Sequence, residues 1–561
     1  MRRTFLGVFG LALPLASCAT LPPPTLQYDA LVRGGTVYDG SGGAPQVADV
    51  AIRGGRIVAV GPNLKGNASR TIDASGLAVA PGFINMLSWA AVPLLEDGAG
   101  ESDIRQGVTL EVMGEGSSEG PLSDAMAADA ESNQGDIRFP VTWRTLRGFW
   151  DVLEKKGIAP NVASFVGATT VRIHVLGERD VDPTPAQLAE MQNLVRAAMN
   201  EGAMGVGSSL IYTPATFAET PEIAALATAS AQCGGMYISH MRDEGDALLE
   251  SIDELIAIAR QSGGPAEIYH FKQSGRANWD KFDAAVAKVE AARASGLRIT
   301  ADMYTYPASS TGLNANFPSW VKEGGHEAFI ARLRNPTDRA RLVSELRKTG
   351  WLSSVGDARG VLLVGLRNEK LKPLAGKTLA EVAQQRGISP EDTAIDLIIE
   401  DDSRIQVVYF SMDETNVARA VALPWMSFGS DASAQAPRGA FLKSSTHPRA
   451  YGNFARLLGK YVREEKRLTL QEAVRKLTSL PAANLGLTDR GWVKAGMMAD
   501  LAIFDPVTIR DRATFARPQQ FATGMRHVLV NGQAVLTDGV MTGAKPGRAV
   551  AGPGLGKCPQ R

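Results

Sequence analysis

Between residues 184 and 303 the chain alternates helix and strand so regularly that few folds can accommodate it. In "TPAQLAEMQNLVRAAMNEG", Thr184 stands as an N-cap, Pro185 at the first helical position and Gly202 just past the end. Leu188, Met191, Val195 and Ala198 fall on one face of that helix. The strand "AMGVGSS" follows, then a helix over 221–232, the strand "MYISH" and a helix over 246–262. The strand "AEIYHFK", a helix over 279–294 and the strand "LRITADMYTY" complete the run. A strand–helix unit repeating about every 30 residues is the pattern of βα units in a parallel sheet. Extended outward, it gives eight core strands near 82–87, 108–114, 162–167, 203–208, 236–240, 266–271, 297–303 and 425–431. Eight units favour an α/β fold of the (β/α)8, TIM-like barrel kind over an open sheet.

The two ends have another texture. "DALVRGGTVYDGSGG", "ADVAIRGGRIVAVGP" and "RTIDASGLAVA" are short strands broken by glycine, and "MADLAIFDP" and "MRHVLVNGQAVLTDG" repeat the style near the C-terminus. They predict one small β-sandwich domain formed from both termini, residues 28–80 plus 485–550. The barrel then covers 81–484, with an insertion at about 308–424 that carries helices over 325–348 and 390–400.

"MRRTFLGVFGLALPLASCAT" opens the chain with two arginines, an apolar run and Leu15-Ala16-Ser17-Cys18. This is the layout of a signal peptide over 1–17, too short in these flanks to span a membrane. Cys18 after Leu-Ala-Ser resembles a bacterial lipobox, which implies cleavage before Cys18 and lipid on its thiol. The alternative is an ordinary signal peptide with a chance cysteine. Residues 18–27, with "LPPP", read as a tether. Ala19 resembles the residue that follows the cysteine in lipoproteins sorted to the outer membrane, so the expected location is the periplasmic side of that membrane. Cys233 and Cys558 alone make no disulfide framework, and Cys233 reads as a small buried residue. Lys+Arg and Asp+Glu both total 59, which gives no reason to expect nucleic acid or a polyanionic partner.

Barrel enzymes place their chemistry at the C-terminal ends of the strands. Those ends carry Glu115, Ser208, Tyr212, His240, His270, Lys272, Asp302, Tyr304 and Asp431. Of only six histidines, His240 and His270 close consecutive strands. Two imidazoles and an aspartate at one end of a barrel point to a metal site, and neutral imidazoles suit zinc. Asp431, in "SFGSDAS", is placed to take a proton from a water that the metal activates. His174 reads as core or as a support for the site, His326 as exposed in the insertion and His527 as structural. His447 is either at the site rim or packed.

These residues carry a resemblance that covers nearly the whole chain after the leader. "LVRGGTVYDGSG", "IDASGLAVAPGFI", "GAMGVGSSLIYTPATFA", "YISHMRDEGD", "IYHFKQSG", "DMYTYPAS", "GSDAS" and "HPRAYGNFARLLGKYVRE" resemble the amidohydrolase superfamily, and within it the N-acyl-D-amino-acid deacylases (D-aminoacylases). The resemblance implies hydrolysis of a linear amide to a carboxylate and a free D-amino acid. It implies His240 and His270 as zinc ligands, Asp431 as general base and Tyr212 as donor to the scissile carbonyl. Lys272 and Tyr304 would hold the substrate carboxylate. Arg242 would assist them, or form a structural ion pair with Asp243 or Glu244.

Two stretches depart from the family's pattern. Where the family has Asp-x-His-x-His on strand one, this chain has Asn85-Met86-Leu87-Ser88-Trp89, of which Leu87, Ser88 and Trp89 read as pocket wall. Where it has Gly-Asn-Cys-Gly on strand two, this chain has Gly114-Glu115-Gly116-Ser117. His240, His270 and Glu115 with an open fourth position would make a catalytic set for one Zn2+ per chain. Glu115 could instead cap the following loop or pair with an arginine. Competing readings keep the barrel and change the bond, to a dipeptidase-like or cyclic-amide hydrolase, or abandon catalysis for a scaffold lipoprotein.

Overall fold

The computed structural model of the protein describes Met1 and residues 27–559. The leader, Cys18 and nearly all of the tether lie outside the described residues.

Strands Gln27–Val37, Gln46–Arg53, Arg56–Gly61, Asn67–Asp73 and Ala78–Pro81 join Leu501–Phe504, Met525–Val530, Gln533–Thr537 and Val540–Met541 in one nine-stranded sheet. The termini meet where Ala78–Pro81 runs antiparallel to Leu501–Phe504, with Val79 opposite Ile503. Along one edge of Gln27–Val37, the neighbour changes from Asn67–Asp73 to Ala78–Pro81. The sheet closes over a core of Val32, Val50, Ile52, Val79, Ile503 and Leu529.

The barrel strands are Phe83–Asn85, Val108–Met113, Asn161–Ser164 continued by Val166–Gly167, Gly205–Ser209, Met236–His240, Ala266–Ile268, Ile299–Met303 and Met426–Phe428. All neighbours pair parallel. The ring closes where Met86 N–H donates to Phe428 O at 3.1 Å and Asp431 N–H to Leu87 O at 2.9 Å. Ile84, Met86, Leu87, Leu110, Val112, Phe165, Met204, Ile238 and Tyr269 pack together as its filling, so the interior is a core and chemistry is confined to the rims. The outer helix Pro185–Glu201 has the expected start, a Thr184–Gln187 capping box, and stops at Gly202 with φ 108°. Met191, Val195 and Ala198 are its buried face.

The insertion has a core of its own, including Phe329, Leu342, Trp351, Leu363, Ile395 and Val407. Its three-stranded antiparallel sheet comprises Ser309–Gly312, Val361–Gly365 and Gln406–Tyr409. The single helix expected over 325–348 is two, Gly325–Arg334 and Pro336–Thr349. Pro336 offers no N–H to the first helix. The Asn335 side chain caps the second through Thr337 N–H and Asp338 N–H, at 2.9 and 3.2 Å.

Cys233 is not a lone buried thiol: it forms a disulfide with Cys558, Cα–Cα 5.0 Å. The pairing depends on a C-terminal strap along the underside of the barrel. There Val550 N–H donates to Val162 O at 2.8 Å and Gly552 N–H to Gly202 O at 2.8 Å. A Cβ on Gly552 would meet Ala203 O at 2.3 Å, so only glycine permits this approach.

Candidate active site

Glu115 enters the site through its neighbours. Gly114 and Gly116 take φ of 103° and 71°, and Cβ atoms there would meet Phe165 O at 2.4 Å and Ser209 Oγ at 2.5 Å. The glycine pair lets the chain turn sharply at the end of the second strand, which carries the carboxylate inward. Glu115 Oε1 lies 2.9 Å from both His240 Nδ1 and His270 Nε2. All three residues are buried, and their candidate ligand atoms lie within 4.8 Å of one another. This is the one such cluster of three among the described residues.

The far side of each imidazole faces Glu244, which the sequence reading had considered only as a partner for Arg242. Glu244 Oε1 is 3.0 Å from His270 Nδ1, and Oε2 is 3.6 Å from His240 Nε2. Both rings therefore stand between two carboxylates. That arrangement restrains ring orientation and leaves the Glu115-facing nitrogens, His240 Nδ1 and His270 Nε2, as the pair that could hold a metal. Burial raises both carboxyls, but the histidines and, for Glu244, Lys272 outweigh it and hold them far below the carboxylate range. His270 has φ 34°, a backbone state uncommon outside glycine, held by its N–H on Asp302 Oδ1 at 2.9 Å.

Asp431, at φ 48° after the eighth strand, is gripped at both oxygens: Trp89 Nε1–H donates to Oδ1 at 3.1 Å and Arg449 Nη1 lies 2.9 Å from Oδ2. The loop behind it is tied to strand one, since Ser430 N–H donates to Asn85 Oδ1 at 2.8 Å. Tyr212 hydrogen-bonds Thr311 Oγ1 at 2.8 Å, and its ring meets that of His240 edge-on at 5.0 Å. Burial pushes its phenol well up, so it remains an O–H donor.

Of the predicted carboxylate-binding residues, Lys272 and Tyr304 stay together, with Lys272 Nζ 5.8 Å from the Tyr304 ring, and Arg242 lies apart. Lys272 Nζ is turned onto Glu244 Oε1 at 2.5 Å and His270 Nδ1 at 2.7 Å. Tyr304 lies under the Arg449 guanidinium, 4.4 Å from the ring, with its hydroxyl on Met412 Sδ at 3.4 Å. Arg242 is outside the cluster. Its guanidinium is bound by Glu254 at 2.8 Å and by the carbonyls of Thr216 and Ala218, neither Asp243 nor Glu244 being the partner. Four of its five N–H donors are taken by that carboxylate-and-carbonyl cradle, which turns it away from the Glu115–His240–His270 cluster. Leu87 is barrel filling instead of pocket wall. His447 is buried and packed: Nε2 lies 3.0 Å from Ala308 O, Nδ1 accepts Arg449 N–H at 3.0 Å, and burial keeps the ring neutral. Arg449 was the missed cation. It is buried beside Asp431, and its Nε has no hydrogen-bond partner among the described residues. The stretch "HPRAYGNF" carries it, but Arg438 also follows the eighth strand, and nothing local tells the two arginines apart.

Residues 367–536 match the model of the Amidohydrolase family. N-acyl-D-glutamate deacylase of Alcaligenes xylosoxydans xylosoxydans is 34% identical over 510 residues, covering 90% of this chain and 93% of the relative. The chain belongs to the D-aminoacylase family of amidohydrolases. A crystal structure of N-acyl-D-glutamate deacylase from Bordetella bronchiseptica, with zinc and a phosphonate mimic of the tetrahedral intermediate, superposes with TM-score 0.78 at 28% identity. It covers 94% of this chain and all of that one. A D-aminoacylase whose binuclear metal centre is described as activated by one metal and attenuated by the second gives TM-score 0.77 at 32% identity, covering 93% of this chain and all of the other. Against these family members, the strand-one stretch Leu87-Ser88-Trp89 offers neither imidazole nor carboxylate.

Proposed function

We propose that the protein is a metal-dependent N-acyl-D-amino-acid deacylase, releasing a carboxylate and a free D-amino acid. The observation that carries this is the convergence of Glu115, His240 and His270 beside an anchored Asp431. The donor set fits a divalent ion. Two imidazole nitrogens and a carboxylate oxygen face one point, and Glu244 backs both rings. Such a two-His, one-Glu set suits zinc, and the absence of donors at Leu87, Ser88 and Trp89 supports one ion per chain.

Zinc bound there supplies Lewis acidity, polarising the amide carbonyl and acidifying water. The chain does the rest. Asp431 takes the proton of the attacking water and delivers it to the nitrogen of the leaving amine. The Tyr212 O–H, steered by Thr311, donates to the carbonyl oxygen as it gains charge. Arg449 binds the substrate's free carboxylate through its Nε–H, which has no partner among the described residues, and Tyr304 supports the guanidinium from below. Lys272 holds Glu244 and adds positive charge at that end of the site.

The resemblance of Leu15-Ala16-Ser17-Cys18 to a lipobox supports a location on the outer membrane through lipid at Cys18, facing the periplasm. The Cys233–Cys558 disulfide supports an oxidising compartment. Cys18→Ser would abolish incorporation of labelled fatty acid if this location is right, and leave it unchanged if not.

The activity is tested on the soluble form starting after Cys18, loaded with zinc. Free amino acid is measured from matched N-acetyl-D- and N-acetyl-L-amino acids, with and without chelator. Release from the D series that chelation abolishes is the expected outcome. Well-folded protein that releases nothing from either series would refute the reading.

A further inference from the structure

The reaction described above gives Trp89 no task, yet its geometry is unlike that of a packing residue. Its backbone N–H donates to Ala432 O at 3.0 Å, which sets the end of strand one against the residue after Asp431. From that anchor the indole Nε1–H reaches Asp431 Oδ1 at 3.1 Å, while Arg449 holds Oδ2 from a different element at 2.9 Å. Turning the carboxylate about its own axis would break both contacts. Trp89 is nevertheless 42% exposed, whereas the Asp431 side chain is 12% exposed. A tryptophan recruited for hydrophobic packing would bury its ring. This one leaves much of its ring in solvent and commits its single polar hydrogen to Asp431.

We propose that Trp89 is a positioning residue for Asp431. Its indole N–H and the Arg449 guanidinium together hold that carboxylate in the orientation needed for proton transfer. The inference rests on the deacylase reading, through the role of Asp431. It accounts for strand one carrying an indole where no metal ligand is present.

The test replaces Trp89 with Phe, which keeps an aromatic ring and removes the N–H. In the zinc-loaded enzyme, Trp89→Phe should lower kcat about tenfold, the scale of one hydrogen bond to a charged group, and leave KM within about twofold. Bound zinc, measured by mass spectrometry, should not change. Trp492→Phe, in the sandwich-side segment before Leu501, serves as the control. A second measurement does not depend on turnover. In protein labelled with 15N-tryptophan, the Trp89 indole signal, identified by its loss in Trp89→Phe, should move upfield in Asp431→Asn. A kcat for Trp89→Phe within about twofold of wild type would overturn the proposal, as would an indole signal that Asp431→Asn leaves in place. If the wild type hydrolyses no N-acyl-amino acid, the deacylase reading falls by itself. The indole signal then decides alone: movement retains Trp89 as the donor that fixes Asp431, and no movement removes it.

Discussion

Without metal, this site must store a proton, and the structure says where. His270 is pushed down by burial and by the Lys272 ammonium. Glu244 and Glu115, at 3.0 and 2.9 Å, outweigh both and raise its pKa to about 10. His240 goes the other way: burial, only partly offset by Glu244, holds it below its ordinary value. At pH about 7.5 the metal-free protein therefore carries one imidazolium, on His270, beside a neutral His240. A metal can take His270 Nε2 only after that proton leaves, so binding should release about one proton per ion. Two unperturbed histidines would together release about 0.2 at the same pH. Cadmium is the suitable probe, because its bound water stays neutral there and only ligand protons are counted. Calorimetric titrations in buffers of different ionisation enthalpy give the number directly. Apparent affinity should also strengthen about tenfold per pH unit between about 7 and 9. A release near 0.2, or an affinity flat across that range, would refute the assignment of the proton to His270.

The same shift predicts how stability follows pH. A histidine whose folded pKa is raised stabilises most below its unfolded value and loses that contribution as pH rises through the folded one. The Tm of metal-free protein should therefore fall between about pH 6.5 and 10, while metal-loaded protein is spared the loss. Tyr212→Phe removes the donor to the carbonyl oxygen; kcat should drop by about a hundredfold with bound zinc unchanged. Cys558→Ser, or reduction, should cost about 2–5 kcal/mol of stability and show as a lower Tm. Hydrogen exchange should quicken along the strap near Val550 and Gly552, and an unchanged Tm would mean that the strap's backbone bonds suffice without the disulfide.

The barrel was legible because periodicity reports burial. Met191, Val195 and Ala198 face inward for the reason that their spacing made them a stripe. The ends of the strands were legible too, which is how His240 and His270 could be placed at one rim. Glu115 could be read because it stands at a strand end, beside the position where the resembled family carries its third ligand. What stayed hidden depends on which distant groups meet. Arg242 looked like a site residue until Glu254, twelve positions on, took its guanidinium. Cys233 and Cys558 are separated by 325 residues, and only the path of the strap joins them. Glu244 sits in "HMRDEGD" among other acids, and nothing local distinguishes the carboxylate that backs two imidazoles from its neighbours. The Trp89–Asp431 contact spans 342 positions, and its meaning appears only when strands one and eight close the ring.

If one ion binds, as proposed above, the charges in this small volume suit it. Metal-free, Glu115 and Glu244 are balanced by Lys272 and the His270 imidazolium, while Asp431 and Arg449 balance each other. The buried cluster is then neutral, which keeps it stable without metal. Exchanging one proton for a divalent ion leaves a net charge of about +1 in surroundings with little water. An amide substrate is neutral at the scissile bond when it binds and acquires a negative oxygen only as the bond is attacked. An excess of one positive charge favours that state over the bound substrate, which is the condition for faster turnover rather than tighter binding. A second ion would raise that excess further. If Trp89 and Arg449 hold Asp431 as proposed, that carboxylate needs no ion to fix it.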